Sequence, residues 1–452
     1  MARQRSDRKC PGNGKVASTP RRHLRVLSAR FGVADGPGRN GRQDVKKRVA
    51  TGVCIVVENL PVPLDRRVWK EACALRDAGY RVSVICPKGK GFSAGYEALD
   101  GIDIYRHRTW EASSKAEYIL EYGVALAAEF CLALKVFART RFRILQACNP
   151  PDTIFLIGLL LRPLGVRFIF DQHDLGPELF EAKFGKRSGT LLRLVRLLEL
   201  CSFRAASTCI ATNESFKEIA ITRGGKRPEV VFVVRNCPDL ATFQRPQSRN
   251  GNGFGRSYLV VYVGFMGTQD GLDLLLDAIE HIVKRENRQD THFLLVGGGT
   301  VLPELRQVIA KKDLSPFVTL TGQVSHDEVV AFLSVADVGV APDPKNAMND
   351  NSSMIKIFEY MAFGLPIVLF DLKEGRRTAG AAALYAVPND PINFADQIGR
   401  LLNSRELREE LGECGRRRIE ESLNWDIEKA SLIRAYETAL QSGPVLGEAG
   451  SR

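Results

Sequence analysis

The stretch VATGVCIVVENLPVPLDRRVWKEACALRDAGYRVSVICP, residues 49–87, decides the fold class. It begins with an apolar run rich in β-branched residues, continues with a helical pattern from Asp65 to Gly79, and ends with a second apolar run. Asp65 is a typical N-cap residue, and Gly79 is typical of the position just after a helix. The apolar runs do not alternate with polar residues, which indicates parallel strands covered by helices on both faces.

Short apolar runs and helical patterns alternate in the same way beyond residue 87. A segment rich in Gly, Pro, Asn and Ser interrupts the series and is typical of a linker. We therefore predict an α/β protein with two Rossmann-like doubly wound domains that face each other across a cleft. The predicted divisions are a disordered basic tail (1–48), a first domain (49–237), the linker (238–257), a second domain (258–425), a C-terminal helix that crosses back to the first domain (426–442) and a disordered tail (443–452).

The positive charge of the chain is concentrated in its N-terminal tail. Of the net charge of +12, residues 1–48 supply +11, from 14 Lys or Arg against three Asp. The rest of the chain is close to neutral, so a nucleic-acid partner is not expected. The tail lacks the apolar segment of a secretory signal. It is either an extension without function, which includes a start codon placed too early, or a weak attachment to anionic lipid.

The ten cysteines form neither a C-x-x-C pair nor a Cys/His cluster at metal spacing. This usage indicates a reducing, cytoplasmic compartment without a disulfide framework, and no metal site is expected. The longest apolar run, residues 153–161, is too short to span a membrane.

Residues 183–207 interleave Leu and Val with Arg. The segment either packs on the first domain or lies on a membrane surface, which would place the protein at the inner face of the membrane as a peripheral protein. Packing is the default expectation, because one helical stripe contains Leu191, Leu194, Val195 and Leu198.

The stretch NDNSSMIKIFEYMAFGLPIVLFD, residues 349–371, predicts a polar loop, a short helix and a buried strand. Ser352 or Ser353 can cap the helix, whose first N–H groups form an anion site. Lys356 lies in the first turn and can contribute an ammonium group to the same anion. Glu359 lies one turn deeper on the same face, where its carboxylate could accept two ribose hydroxyls. The pattern indicates a nucleotide diphosphate, and the alternative is a capped surface helix with a Lys–Glu pair.

Residues 352–368 resemble the donor-site helix of GT-B glycosyltransferases, specifically the large retaining family four, which uses nucleotide-activated sugars. The resemblance continues in the expected order through LPVPLDRRVWKEACALRDAGYRVSVICP, DQHDLGPELF, VVRNCPDL, YVGFMGTQDGLDLLLDAI, FLLVGGG and VTLTGQVSHDEVVAFLSVADVGVAP. It covers residues 51 to about 440. It implies that the first domain faces the acceptor and that the second binds the nucleotide sugar.

The resemblance implies roles for residues that would contact the base, the ribose and the sugar. Glu359 matches the second Glu of the family's E-x7-E motif, which binds the donor ribose. Asn351, with Asp350 beside it, stands where the first Glu of the motif would contact the donor hexose. Val324 stands where backbone atoms of the family meet the base. The substitution of Asn for Glu puts the carboxylate role at that position in doubt.

A second departure concerns the pyrophosphate. Many members of the family carry an Arg and a Lys there, where this chain has Phe265 and Asp270. Gly264 and Gly267 still permit close approach of the backbone. The remaining candidates for neutralising the pyrophosphate are the helix N-terminus and the cations Lys356, Arg66 or Arg67.

In the first domain, His173 directly follows a buried strand. By resemblance it corresponds to the family's His near the reacting sugar, flanked by Asp171, Asp174 and Glu178, which could orient it or the acceptor. For Asp174 and Glu178 a solvated, helix-capping turn is the favoured interpretation. The catalytic roles thus fall to His173, Lys356 and Asn351.

The function that the resemblance implies is transfer of a hexose-type sugar from a nucleotide-diphosphate sugar, with UDP favoured over GDP, to a glycan or polyprenol-linked acceptor. Retention of configuration, no metal or other cofactor, and a place in cell-surface polysaccharide or glycolipid synthesis are further expectations. The alternative is a non-catalytic GT-B scaffold or nucleotide-sugar-binding protein. A nucleotide-sugar epimerase of the same fold is disfavoured, because the sequence offers no acid/base carboxylates for it.

Overall fold

The computed structural model describes residues 50–108, 115–184, 189–240, 243 and 254–441. Both predicted tails, residues 1–48 and 443–452, and most of the predicted linker lie outside the described residues.

The described part of the first domain contains one sheet of eight strands. The strands are β1 (Gly52–Val57), β2 (Arg81–Pro87), β3 (Tyr96–Leu99), β4 (Ile102–His107), β5 (Ile144–Cys148), β6 (Arg167–Gln172), β7 (Thr208–Ala211) and β8 (Val231–Val233). Their order is β3-β4-β2-β1-β5-β6-β7-β8, and every neighbouring pair is parallel except β3 with β4. The helices are α1 (Arg66–Asp77), α2 (Lys115–Thr140), α3 (Phe155–Leu161), α4 (Gly176–Phe184), α5 (Gly189–Ala205) and α6 (Glu214–Thr222).

The second domain contains a six-stranded sheet in which all pairs are parallel. The strands are β9 (Tyr258–Val263), β10 (Thr291–Val296), β11 (Val318–Leu320), β12 (Val338–Ala341), β13 (Ile367–Phe370) and β14 (Ala383–Ala386), in the order β11-β10-β9-β12-β13-β14. The helices are α7 (Leu272–Glu280), α8 (Leu302–Lys311), α9 (His326–Val335), α10 (Ile355–Ala362), α11 (Lys373–Ala379), α12 (Pro391–Asn403) and α13 (Arg405–Ser422). Two largely parallel sheets covered by helices confirm the predicted α/β, GT-B architecture.

The decisive stretch folds as its pattern predicts. All six residues of β1 are buried, because helices cover both faces of the sheet. The Asp65 carboxylate accepts a hydrogen bond of 3.0 Å from the backbone N–H of Val68 and thereby caps α1. Gly79 follows α1 with a φ of +89°, a conformation that glycine adopts without a Cβ penalty.

A last helix, α14 (Trp425–Gln441), packs on the first sheet although it follows the second domain in sequence. Leu432 and Tyr436 are fully buried in the core of the first domain. The Tyr436 hydroxyl donates to the side-chain oxygen of Gln146 in β5, and the Ser431 hydroxyl donates to the carbonyl oxygen of Val233 at 2.8 Å. The chain therefore leaves the first domain through residues 234–240 and returns to it at the C-terminal helix.

The prediction that the helical stripe of Leu191, Leu194, Val195 and Leu198 packs on the first domain is wrong for two of these four residues. Leu191 and Leu194 are 51% and 49% exposed, whereas Leu198 packs against the core. The buried face of α5 contains Glu199, Ser202 and Phe203 instead, because Arg223 pairs with Glu199 and Phe203 fills the core. Helical spacing groups the leucines on a face but does not show whether a partner covers that face.

Within the described residues, no helix combines the length and apolar composition that crossing a bilayer requires.

Candidate active site

The candidate site lies where loops at the carboxyl ends of strands from both sheets meet. The loop between β12 and α10 contacts the first domain, because the Asn213 side-chain amide donates to the carbonyl oxygen of Asn351 at 2.9 Å. Close by, Lys373 at the start of α11 forms a 2.7 Å ion pair with Glu218 of α6. These contacts place α10 at the border of the two domains.

The N-terminus of α10 carries no side-chain cap, so the predicted Ser cap is wrong. The Ser352 hydroxyl donates to the carbonyl oxygen of Met348 at 2.8 Å, and the Ser353 hydroxyl lies 3.5 Å from a carboxylate oxygen of Glu374. Both serines therefore shape the loop rather than cap the helix. The first N–H groups of α10 keep their capacity for an anion.

Lys356 is nearly buried and already has an anionic partner. Its Nζ lies 2.8 and 3.0 Å from the two carboxylate oxygens of Asp343, just beyond β12, and 4.9 Å from the centroid of the Tyr262 ring. A Cβ at Gly264 would lie 3.3 Å from Lys356 Cε, so the glycine leaves room for this side chain. The ammonium group that was predicted to contact the anion is thus held in a fixed position by Asp343, which shares its charge.

Glu359 has the opposite character. No hydrogen-bond or ion-pair partner of its carboxylate is found among the residues that the structure describes. Burial raises the pKa of Glu359 to about 7, against the opposing charges of Arg66 and Lys356. Arg66 belongs to α1 of the first domain and is exposed. Burial and, to a smaller extent, the charge of Arg66 lower the pKa of His326 in the second domain. A carboxylate without an internal partner therefore lies close enough to a cation of the other domain for the two charges to interact.

The loop after β9 is held by backbone contacts. The N–H of Gly267 donates to Asp270 at 2.9 Å, so this carboxylate closes the loop at the place where a cation would be expected. Gly264 approaches Gly297 so closely that a Cβ on Gly297 would meet its carbonyl oxygen at 1.9 Å. Phe265 is 58% exposed between these glycines. The N–H groups of Gly264, Met266 and Gly267 thus donate within the protein, and the loop presents an exposed ring rather than positive side chains.

The polar residues before α10 are engaged in the loop itself. The Asn351 side-chain amide donates to the carbonyl oxygen of Ala347 at 2.9 Å, and Asp350 accepts from the N–H of Lys373 at 2.9 Å. Val324 is half-buried and packs against the core of the second domain. Their predicted contacts with hexose and base remain predictions.

His173 belongs to a buried network of charges in the first domain. Its Nε2 lies 2.7 Å from Asp171 and 3.0 Å from Arg67 Nε, and Arg67 also pairs with Asp171 at 2.9 Å and Glu71 at 3.1 Å. Burial alone would raise the pKa of Asp171, but the charges of Arg67 and His173 outweigh burial and lower it. Burial alone would lower the pKa of His173, but the attraction of Asp171 outweighs burial and raises it. Arg67 is therefore saturated within this domain. Arg67 was also offered by the sequence, beside Arg66, as a phosphate ligand, and this network leaves it less suited to that role than Arg66.

The two other acidic residues near His173, Glu178 and Asp174, differ in their surroundings. Glu178 forms a bidentate pair with Arg223, at 2.6 and 3.2 Å. The carbonyl oxygen of Asp174 accepts from the Asn149 amide at 2.9 Å, and burial raises the pKa of its carboxyl.

Sequence reasoning missed several residues that shape the site. Asp343 fixes Lys356, and Asn149 positions His173 by accepting its backbone N–H at 2.7 Å. Both residues follow buried strands closely, at the carboxyl edge of their sheets. Such placement is the signal that could have identified them, because ligand sites of open parallel sheets lie at that edge. Glu71 left no such signal, since it lies inside α1.

Two family models match the chain. "Glycosyl transferase 4-like domain" matches residues 64–237 and "Glycosyl transferases group 1" matches residues 257–404. Their order reproduces the two domains of the structure.

Individual proteins are also similar to this chain, in sequence or in fold. The alpha-D-kanosaminyltransferase of Streptomyces kanamyceticus is 27% identical over 38% of this chain and 43% of that protein. The MMP alpha-(1->4)-mannosyltransferase of Mycolicibacterium hassiacum is 33% identical over 47% of this chain and 49% of that protein. The chain thus spans about half the length of the curated relatives it matches. The crystal structure of Anabaena HepE in complex with UDP and glucose covers 86% of this chain and 100% of its own, with a TM-score of 0.66 and 14% identity, and shares the fold.

Proposed function

The chain belongs to the group 1, family-four type of GT-B glycosyltransferases, and from this premise we propose that it moves a hexose-type sugar from a nucleotide-diphosphate sugar to a glycan or polyprenol-linked acceptor. The observation that carries the proposal is Glu359, a carboxylate at the domain border to which the described residues supply no partner. Such a group is suited to bind the vicinal hydroxyls of a ribose. UDP is the preferred nucleotide, a choice supported by the UDP complex of HepE.

The geometry supports donor binding on one side of the cleft and acceptor binding on the other. The uncapped N-terminus of α10 and the ammonium group of Lys356 receive the pyrophosphate, with Arg66 approaching from the first domain. These groups stabilise the negative charge that grows as the nucleotide diphosphate departs, without a metal ion at the pyrophosphate. His173, fixed by Asp171, lies on the acceptor side. Closure of the domains excludes water, which would otherwise hydrolyse the sugar nucleotide.

Retention of the anomeric configuration is part of the proposal. The acceptor hydroxyl then attacks on the face from which the nucleotide departs, and a phosphate oxygen of the donor accepts its proton. The proposed setting is the synthesis of cell-surface polysaccharide or glycolipid on the cytoplasmic side of the membrane.

A turnover panel tests the transferase proposal. The purified chain is incubated with UDP-, GDP- and ADP-sugars and candidate acceptors, and the released nucleotide diphosphate and the glycosylated product are measured by chromatography and NMR. We expect turnover with a UDP-sugar and a product of retained configuration. An inverted product would refute retention. Nucleotide binding without turnover for any acceptor would favour the scaffold, which the exposed Phe265 and the engaged Asp270 would also suit.

The exposed leucines of α5 support a peripheral contact with a bilayer. Leu191, Leu194 and Leu197 are each about half exposed, and Leu160 and Leu164 on the adjoining segment are 60% and 56% exposed. Arginines are interleaved with the leucines of α5 and would face anionic headgroups. We propose that this face, the leucine patch (residues 156–164 and 191–197), carries the enzyme to a lipid-linked acceptor.

The double variant Leu194→Glu/Leu197→Glu is expected to weaken binding to phosphatidylglycerol-containing vesicles by about tenfold or more. Each inserted leucine contributes about 1–2 kcal/mol, because part of its apolar surface leaves water. Co-sedimentation measures the binding. Ile392→Glu, at a 55% exposed position in the second domain, is the matched control and should bind as the wild type does. Equal binding by the double variant would remove the leucine patch from the proposal.

A further inference from the structure

Three buried ligand-type side chains converge in the first domain, away from the groups assigned to sugar transfer. Glu58 directly follows β1, His107 is the last residue of β4, and Glu129 lies on α2, which packs over these strands. One ligand atom from each residue lies within 4.8 Å of the other two. Because β1 and β4 flank β2, the cluster sits over the carboxyl end of β2.

The converging atoms have one another as neighbours, with no Lys or Arg of the described residues beside them. Glu58 Oε2, His107 Nε2 and Glu129 Oε1 are all buried and face one another: Nε2 lies 2.9 Å from Glu58 Oε2, and the Glu58 and Glu129 carboxyl groups interact directly. The side chains of His107 and Glu129 are only 3% and 1% exposed, and that of Glu58 is 9% exposed. Within the described residues, no Lys or Arg pairs with either carboxylate. A bound cation would relieve the repulsion between two buried carboxylates that approach each other this closely.

The imidazole is oriented as it would be in a metal site. His107 Nδ1 lies 3.3 Å from the carbonyl oxygen of Arg108, which can accept a hydrogen bond from it. Nε2 then presents a lone pair to the cluster, as it does in metal-bound histidines whose other nitrogen donates to a carbonyl. Nε2 lies 2.9 Å from Glu58 Oε2 and 4.0 Å from Glu129 Oε1. These separations bracket the value of about 3.3 Å between neighbouring ligands of tetrahedral zinc.

We propose that Glu58, His107 and Glu129 bind a divalent transition-metal cation, with Zn²⁺ as the best match to one nitrogen and two oxygen ligands. Three protein ligands leave a coordination position for water or a substrate oxygen. Glu58, the most exposed of the three, marks the side from which the cation enters. The site lies at the carboxyl edge of the same sheet as His173, on the side proposed for the acceptor.

The second group of potential ligands in the described residues does not fit a metal. Cys148, Asp171 and His173 also lie close together, but the guanidinium of Arg67 already supplies the positive charge there. The Glu58 site could not be predicted from sequence, because its three ligands are 49 and 22 residues apart. No short spacing motif joins them. The proposal does not depend on transferase activity.

Metal binding by the full chain tests the proposal. The protein is stripped with EDTA, exchanged into metal-free buffer and titrated with Zn²⁺, Mn²⁺, Co²⁺ or Mg²⁺. Bound metal is measured by mass spectrometry after gel filtration, and d–d absorption is recorded for the Co²⁺ form. We expect stoichiometric Zn²⁺, a higher Tm on loading, and a Co²⁺ spectrum of a site with four or five ligands. Metal-free wild type after Zn²⁺ loading, with an unchanged Tm, would overturn the proposal.

Ligand variants locate the cation. Glu58→Gln and His107→Asn are expected to weaken Zn²⁺ binding by more than about 100-fold, since loss of even an outer-shell partner costs about 10–100-fold. His281→Asn is the matched control, because His281 forms a surface pair with Glu286 at 3.7 Å, and it should bind Zn²⁺ as the wild type does. Glu58→Gln decides the test should His107→Asn fail to fold, since Glu58 is at the exposed side of the cluster. Zn²⁺ affinity unchanged in Glu58→Gln would contradict the assignment.

Discussion

Glu359→Gln is expected to weaken binding of the nucleotide-sugar donor by roughly 10–150-fold without lowering the stability of the protein. Hydrogen bonds to a charged group contribute about 1.5–3 kcal/mol, and an amide retains only one acceptor oxygen for the two ribose hydroxyls. Stability should not fall, because the carboxylate of Glu359 has no partner within the described structure that its replacement would leave unpaired. Calorimetric titration with UDP and the UDP-sugar, beside urea unfolding of the free protein, measures both quantities.

A matched control separates this effect from a general loss of negative charge. Glu304→Gln changes an exposed residue of α8 in the same domain and should leave both UDP affinity and stability unchanged. Two results would contradict the ribose assignment. One is UDP binding by Glu359→Gln that equals the wild type, and the other is a loss of stability that accounts for the weaker binding.

The pKa of Glu359 adds a dependence on pH to the same prediction. Burial raises this pKa from 4.5 to about 7 in the folded protein, so the folded state binds a proton that the unfolded state has released. The contribution of Glu359 to stability therefore falls as the pH rises from about 4.5 to about 7. The Gln variant should lack this fall. The free energy of unfolding of the variant minus that of the wild type should therefore be larger at pH 8 than at pH 4. A difference that does not change between these pH values would contradict it.

The fold was largely predictable from sequence, because its signals are local. Residues 49–87 carry two unalternating strands and a capped helix, and each forms as predicted. The position of Glu359 on a short helix after a polar loop was also predictable. The state of Lys356 was not, because its partner Asp343 comes from another strand end. The exposed Leu191 and Leu194 show the same limit, since burial depends on which elements meet in three dimensions.

Arg67→Met is expected to destabilise the protein by about 3–5 kcal/mol, the second large effect. The guanidinium of Arg67 is shared by two fully buried carboxylates, Asp171 at 2.9 Å and Glu71 at 3.1 Å. Its removal leaves buried charge uncompensated, and breaking such a pair from one side typically costs this much. Urea unfolding measures the change. The neighbouring Arg66→Met is the matched control and should alter stability by no more than about 0.5 kcal/mol, because Arg66 is exposed.

A second substitution distinguishes this explanation from a loss of packing. Burial and Asp171 raise the pKa of Glu71 to about 7, so the ionised form of Glu71 is already unfavourable in the wild type. Arg67→Met/Glu71→Gln should therefore recover part of the stability that Arg67→Met loses, because only Asp171 then remains as a buried carboxylate, and His173 still pairs with it at 2.7 Å. If methionine merely packed poorly, the second change would restore nothing. If Arg67 instead served the pyrophosphate, Arg67→Met would weaken UDP binding and leave unfolding unchanged.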